Sequence, residues 1–173
     1  RPRGAGRSVI VLGVDPGTAA TGYGVVERPD AGPTRLIECG VIRPPAGRPL
    51  GERLAAIFDE LSAILDRHRP DVVAIEDVFV AHNVRSALVL GHARGVILLA
   101  AARAACPVAG YAPRVVKKTV VGTGDATKTQ VQAMVARLLR LASPPRPADA
   151  ADGVAIALTH CLRSRPLRRA VVG

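Results

Sequence analysis

One short stretch limits the architecture more than any other. Val9-Ile10-Val11-Leu12-Gly13-Val14-Asp15 is a nearly unbroken apolar run rich in β-branched residues, and Pro16-Gly17-Thr18 ends it. A run of that length and composition reads as a strand covered on both faces. Its last residue is a carboxylate. An unpaired carboxylate inside a core costs several kcal/mol, so Asp15 belongs at the mouth of the strand, within reach of water or a cation. Taken alone, Asp15 reads equally as the cap of a turn or as a functional acid, and the other acids along the chain bear on the choice.

A strand covered on both faces needs layers, and the rest of the chain supplies them. Gly22-Tyr23-Gly24-Val25-Val26-Glu27 reads as a second strand, Arg28-Pro29-Asp30-Ala31-Gly32-Pro33 as a turn, and residues 34–42 as a third strand. Links this short predict an antiparallel meander. After Pro44-Pro45-Ala46-Gly47, apolar residues at Leu54, Ile57, Phe58, Leu61, Ile64 and Leu65 recur with helical period, predicting an amphipathic helix over 50–68. Val72-Val73-Ala74-Ile75-Glu76 is a fourth buried strand, again ending in an acid. A helix between strands predicts a right-handed crossover and parallel pairing.

Residues 83–105 read as a helix with many small positions (Ala87, Gly91, Ala93, Gly95, Ala100, Ala101), suited to close packing in the core or against a second copy of the chain. A short fifth strand follows over 107–111, then a short helix over 113–118 opened by Pro113. Residues 121–126 read as a mobile loop, and Thr127 as the cap of a helix over 128–141. Beyond Pro144, Pro145 and Pro147 comes a last helix over 148–163. The predicted class is α/β: a five-stranded mixed sheet, a three-strand antiparallel meander plus two parallel strands, flanked by helices. One domain is expected over 9–164, with a flexible basic arm at 1–8 and a disordered basic tail at 165–173.

Charge and cysteine usage narrow the partners. The 173 residues are enough for one core. There are 24 Lys+Arg against 14 Asp+Glu, a net +10, which in a compact domain points to a polyanion, with a merely solvated Arg-rich surface as the alternative. Cys39, Cys106 and Cys161 are odd in number, far apart and set in apolar stretches, so they read as reduced core thiols of a cytoplasmic protein, not disulfides or a zinc site. The four histidines show no metal-ligand spacing. No signal peptide is expected, and the apolar run 96–102, flanked by Arg94 and Arg103, is too short to span a bilayer.

Four carboxylates stand out by position. Asp15 and Glu76 end two strands; Asp149 and Asp152, three apart at the start of the last helix, share one face. The helix N-terminus would favour an acid there for structural reasons alone. In open α/β sheets, however, ligands gather at the carboxyl ends of strands. Four crowded carboxylates raise one another's pKa, and divalent cations relieve that repulsion. An all-oxygen set suits Mg²⁺, and a pair of such ions about 4 Å apart supports in-line attack on a phosphodiester. An acidic site in a basic protein thus suggests a nuclease, with Lys and Arg on the phosphates.

The motifs then resemble a known family. Gly13-Val14-Asp15-Pro16-Gly17-Thr18 with Thr21-Gly22-Tyr23-Gly24-Val25 resembles the opening motif of the RuvC family, the bacterial Holliday-junction resolvases. Ala74-Ile75-Glu76-Asp77-Val78-Phe79 resembles the second motif, Ser86-Ala87-Leu88 through Ala93-Arg94-Gly95-Val96 the long helix, and Val116-Lys117-Lys118-Thr119 with Lys128-Thr129-Gln130-Val131 the basic segments. Ala148-Asp149-Ala150-Ala151-Asp152-Gly153 resembles the closing acidic motif.

The resemblance implies a ribonuclease H-like fold and a homodimer that makes paired symmetric nicks in four-way junctions during recombination and repair, leaving 5′-phosphate and 3′-hydroxyl ends. It implies Asp15, Glu76, Asp149 and Asp152 as catalytic ligands of two Mg²⁺, with Mn²⁺ as a substitute, and RuvA–RuvB as partner machinery. It places Phe79 near the bases at the cut, where an aromatic could stack or instead anchor its loop, and Lys117 and Lys128 near DNA phosphates. Lys118 and Arg114, beside a Gly-rich loop, join them as phosphate contacts; Arg85 and Arg94 are further candidates on the long helix, and Asp125 reads as a loop acid. The chain departs from the family at Asp77 and His82, where relatives often carry neutral and basic residues. Two rival readings remain at this stage: an ATP-binding protein of the actin/sugar-kinase class, whose phosphate loop Asp15-Pro16-Gly17-Thr18 mimics, and a non-catalytic DNA-binding relative.

Overall fold

The computed structural model describes residues 8–77 and 84–164. Phe79 and His82, nearly all of the expected basic arm, and the expected tail lie outside the described residues. The chain order is β1 (Val9–Asp15), β2 (Thr21–Arg28), β3 (Arg35–Ile42), α1 (Leu50–His68), β4 (Val72–Glu76), α2 (Val84–Arg103), β5 (Val108–Tyr111), α3 (Pro113–Val121), α4 (Lys128–Leu138) and α5 (Ala148–Arg163).

One five-stranded sheet runs in the order β3-β2-β1-β4-β5. β1, β2 and β3 pair antiparallel, while β4 pairs parallel to both β1 and β5. This is the predicted meander with two added parallel strands. Strand residues alternate between faces, and the core divides accordingly. Leu12, Val14, Val73 and Ile75 pack with Ile57 and Leu61 of α1 and Ile97 of α2. Val11, Val72 and Ala74 pack on the opposite side with α3, α4 and α5.

Three helix ends differ from expectation. α2 stops at Arg103 rather than 105, and Ala105 turns left-handed at φ 51°. α3 continues three residues beyond Lys118 to Val121, because Val116 and Val120 bury one turn apart and Gly122, at φ 102°, supplies the left-handed C-cap. α4 stops at Leu138 rather than 141, and Arg140 turns left-handed at φ 54°. The expected cap at Thr127 is present as a full capping box with Gln130. Cys106 and Cys161 are buried thiols and Cys39 is half-buried, all free.

The apolar run 96–102 lies inside α2, as the predicted helix over 83–105 requires. α2 is a 20-residue helix, long and apolar enough by length and composition to cross a membrane. Here Ala93, Ile97, Ala100 and Ala101 face the core. Val84 and Leu88, 67% and 61% exposed, do not.

Candidate active site

The ladder between β1 and β4 sets the first half of the site. Gly13 pairs with Ala74 and Val14 with Ile75, so one further step brings Asp15 alongside Glu76. Alternation sends both acids to the face that α5 covers, the face of Val11, Val72 and Ala74. Both are partly buried. The turn after Asp15 is fixed from two sides. Thr21 Oγ1 donates to Gly17 O at 2.6 Å, and Arg53 of α1 donates from Nε to Thr18 O at 3.2 Å.

Glycines set the second half. A Cβ on Gly22, which pairs with Asp15 across the ladder, would land on the carbonyl oxygen of Asp149. A Cβ on Gly13 would meet Gly153 O, and one on Gly24 would come within 2.5 Å of Val154. The backbone of α5 therefore rests directly on β1 and β2, and its first turn carries Asp149 and Asp152 to the end of β1. Glycine inside a strand marks such a backbone approach, and Gly22-Tyr23-Gly24 was the signal for it in the sequence. Asp149 also lies in the first helical turn, where the helix dipole favours a negative charge.

Electrostatics tie the acids together. Asp15 titrates at about 6 rather than 3.8, chiefly because it is buried and next because Asp152 is close; Asp149 adds to the rise and Lys128 opposes it. Glu76 is pushed up to about 7, by burial first and then by Asp15 and Asp152, against Lys128 and Lys117. Lys128 Nζ sits 2.9 Å from Asp152 Oδ2, and that hydrogen bond raises the lysine's own pKa. Arg43 Nη2 stands 3.9 Å from Asp149 Oδ2. The sequence offered no sign of Arg43, since its approach depends on how β3 ends relative to α5.

The donor chemistry fits hard divalent cations. Every donor is a carboxylate oxygen, and two of the four hold protons more tightly than usual, first because they are buried and next because other acids stand close. Among the described residues, no three His, Cys, Asp or Glu side chains form a ready cage. The acids form an open cleft, with Lys128 as the present counter-ion of Asp152.

The other candidates lie on α2, α3 and α4. The capping box at Thr127 opens α4 at Lys128 and so aims its side chain at α5. Lys117 is half-buried, near enough to act on Glu76, and Lys118 is exposed on the same helix. Arg114 pairs with Asp125 at 3.0 Å, both highly exposed, so Asp125 is a loop acid with a basic partner. Arg85 is exposed near the start of α2. Arg94 points at Asp77, with Nη2 2.9 Å from Oδ1.

Comparison with known proteins gives the family. A family model described as crossover junction endodeoxyribonuclease RuvC matches residues 11–160. The proteins of that name from Koribacter versatilis and Chloroflexus aggregans are 52% and 50% identical to this chain over 159 and 158 residues, covering 92% and 91% of it and 96% of each of them. Among solved structures, T. thermophilus RuvC in complex with Holliday junction substrate is similar at TM-score 0.83 and 38% identity, covering 89% of this chain and 93% of that one. The match runs from β1, which ends in Asp15, through α5, which carries Asp149 and Asp152, and the chain thereby belongs to the RuvC family of crossover junction endodeoxyribonucleases.

Proposed function

We propose that this chain is a Holliday junction resolvase whose single nuclease domain spans 9–164. The observation that carries the reading is the meeting of acids from three elements: Asp15 of β1 is raised by burial and then by Asp152 of α5, and Glu76 of β4 by burial and then by Asp15 and Asp152. Asp15, Glu76, Asp149 and Asp152 hold two Mg²⁺, which Mn²⁺ can replace. When bound, such ions supply an activated water and positive charge at the leaving oxygen. The chain's own contribution is position. The β1–β4 ladder fixes two carboxylates, and the glycine contact with α5 fixes the other two.

Lys117, Lys118, Lys128 and Arg114 face the phosphates around the cleft, with Arg85 further out and Phe79 stacking on an unpaired base. The net +10 draws the junction in and makes binding fall steeply with salt. The products carry 5′-phosphate and 3′-hydroxyl ends. Work in the cytoplasm with RuvA–RuvB completes the reading.

Paired nicks need two sites, and the outer face of α2 suits a homodimer. Val84, Leu88, Gly91, Gly95 and Leu99 recur at helical spacing, and a Cβ on either glycine would meet nothing within 4 Å. Leu88→Glu should leave a folded monomer in sedimentation.

The deciding experiment incubates the protein with a synthetic four-way junction and Mg²⁺. Symmetric paired nicks are expected on a denaturing gel. Junction binding without nicks would support the non-catalytic relative, and tight Mg-ATP binding by calorimetry the kinase-like class.

A further inference from the structure

The ion pair between Arg94 and Asp77 lies one residue from the cleft, on the other side of the sheet. Glu76 points to the α5 face, and the next residue along a strand points away from it. Arg94 of α2 meets Asp77 there, Nη2 to Oδ1 at 2.9 Å. Asp77 is held from two further directions. Its backbone N–H donates to Tyr111 O at 2.9 Å, carrying the β4–β5 pairing one step past Glu76. Its carboxylate lies over Gly110 of β5, where an added Cβ would come within 2.5 Å of Oδ1. Gly110 thus leaves the room that Asp77 occupies.

The pair is not an ordinary surface contact. The two side chains are 30% and 38% exposed, so solvent screens them less than a fully open pair. Arg94 Nε is buried and has no hydrogen-bond partner among the described residues. A guanidinium in that position depends on a matched charge nearby. Asp77 supplies it.

We propose that Arg94 and Asp77 are positioning residues for Glu76. By tying the residue after Glu76 to α2 and to β5, the pair fixes the backbone at the end of β4 and so the direction in which the Glu76 carboxylate enters the cleft. Arg94 then serves the active-site geometry and not a DNA phosphate. This rests on Glu76 being a metal ligand, as proposed above.

The test titrates Mn²⁺ into the full chain by calorimetry and measures junction binding in EDTA by fluorescence anisotropy. Arg94→Met should weaken Mn²⁺ binding about tenfold, the scale on which groups supporting a ligand act, while junction affinity stays within about twofold because no phosphate contact is lost. The double variant Asp77→Asn with Arg94→Gln replaces the ion pair by two neutral amides that can hydrogen-bond, and should recover most of the Mn²⁺ affinity. Should Arg94→Met fail to fold, Asp77→Asn alone carries the test, with a smaller loss of Mn²⁺ affinity expected and an unchanged one overturning the proposal. A weaker junction complex with unchanged Mn²⁺ affinity in Arg94→Met would make Arg94 a phosphate contact and end the proposal. Glu76→Gln is the control: if it leaves Mn²⁺ binding intact, the ligand assignment of Glu76 falls; if it weakens binding and Arg94→Met does not, only the positioning role falls.

Discussion

The two faces of the sheet use side chains of different size. Toward α1 and α2, β1 and β4 present Leu12, Val14, Val73 and Ile75, all fully buried. Each such side chain contributes about 1.5–3 kcal/mol by leaving water. Toward α5, the same strands present Val11, Gly13, Val72 and Ala74 before ending in Asp15 and Glu76, and β2 presents Gly22 and Gly24. The α5 face gives up apolar volume. In exchange a helix backbone touches a sheet backbone, so the acids at the start of α5 reach the end of β1. One face is built for burial and the other for placement, and only the second can hold four carboxylates against one another.

That contrast can be tested most severely at the acids. Asp15→Asn should bring junction cutting down to background while leaving junction binding in place. It should also raise the thermal stability of the metal-free protein near neutral pH. Asp15 and Glu76 titrate at about 6 and about 7 when folded, above their ordinary 3.8 and 4.5. The folded protein therefore binds protons more tightly than the unfolded chain. The stability these groups contribute is full below the unfolded values and is lost as pH rises through the folded ones. Calorimetry in EDTA should show Tm falling from about pH 4 to about pH 7 in the wild type and less steeply in the variant. A flat wild-type profile would remove the electrostatic basis of the site.

A pair of core substitutions sharpens the contrast between faces. Leu61→Ala, under the burial face, should cost about 2–5 kcal/mol in chemical denaturation by leaving a cavity, yet keep Mn²⁺ affinity in whatever fraction stays folded. Gly22→Ala should cost less, about 1–3 kcal/mol for overpacking, yet abolish cutting, because the new methyl pushes the Asp149 carbonyl and the first turn of α5 away from Asp15. If Gly22→Ala cuts normally, close approach is not what assembles the cleft.

The smallest expected effect is at Lys128. Its side chain is 70% exposed, so Lys128→Met should lower metal-free stability by less than about 1 kcal/mol. The same change removes the cation that holds the Asp15 and Glu76 pKa values down. The pH window of the stability loss should therefore move upward even though the loss of stability is minor.

Much of this was legible along the chain because local chemistry writes it there. Strands ending in Asp15 and Glu76 are visible as apolar runs closed by an acid, and α1 as a 3.6-residue apolar period between Pro49 and Arg69. The ends of α3 and α4 were less legible, because Val120 continues α3 only by virtue of the core above it. The partners of the basic residues were not legible at all. Lys128 on Asp152, Arg43 near Asp149 and Arg94 on Asp77 join residues from different elements, and no periodicity records which way a long side chain turns.

The sequence by itself determined the strands, the helices, the two pairs of acids and the excess of positive charge, since period, turn residues and composition act over a few neighbours. The tertiary structure alone decided that those pairs meet. Their meeting depends on a parallel register between strands separated by a helix and on the height of α5 above glycines of two other strands. Distances of that kind arise only when distant segments are packed against each other.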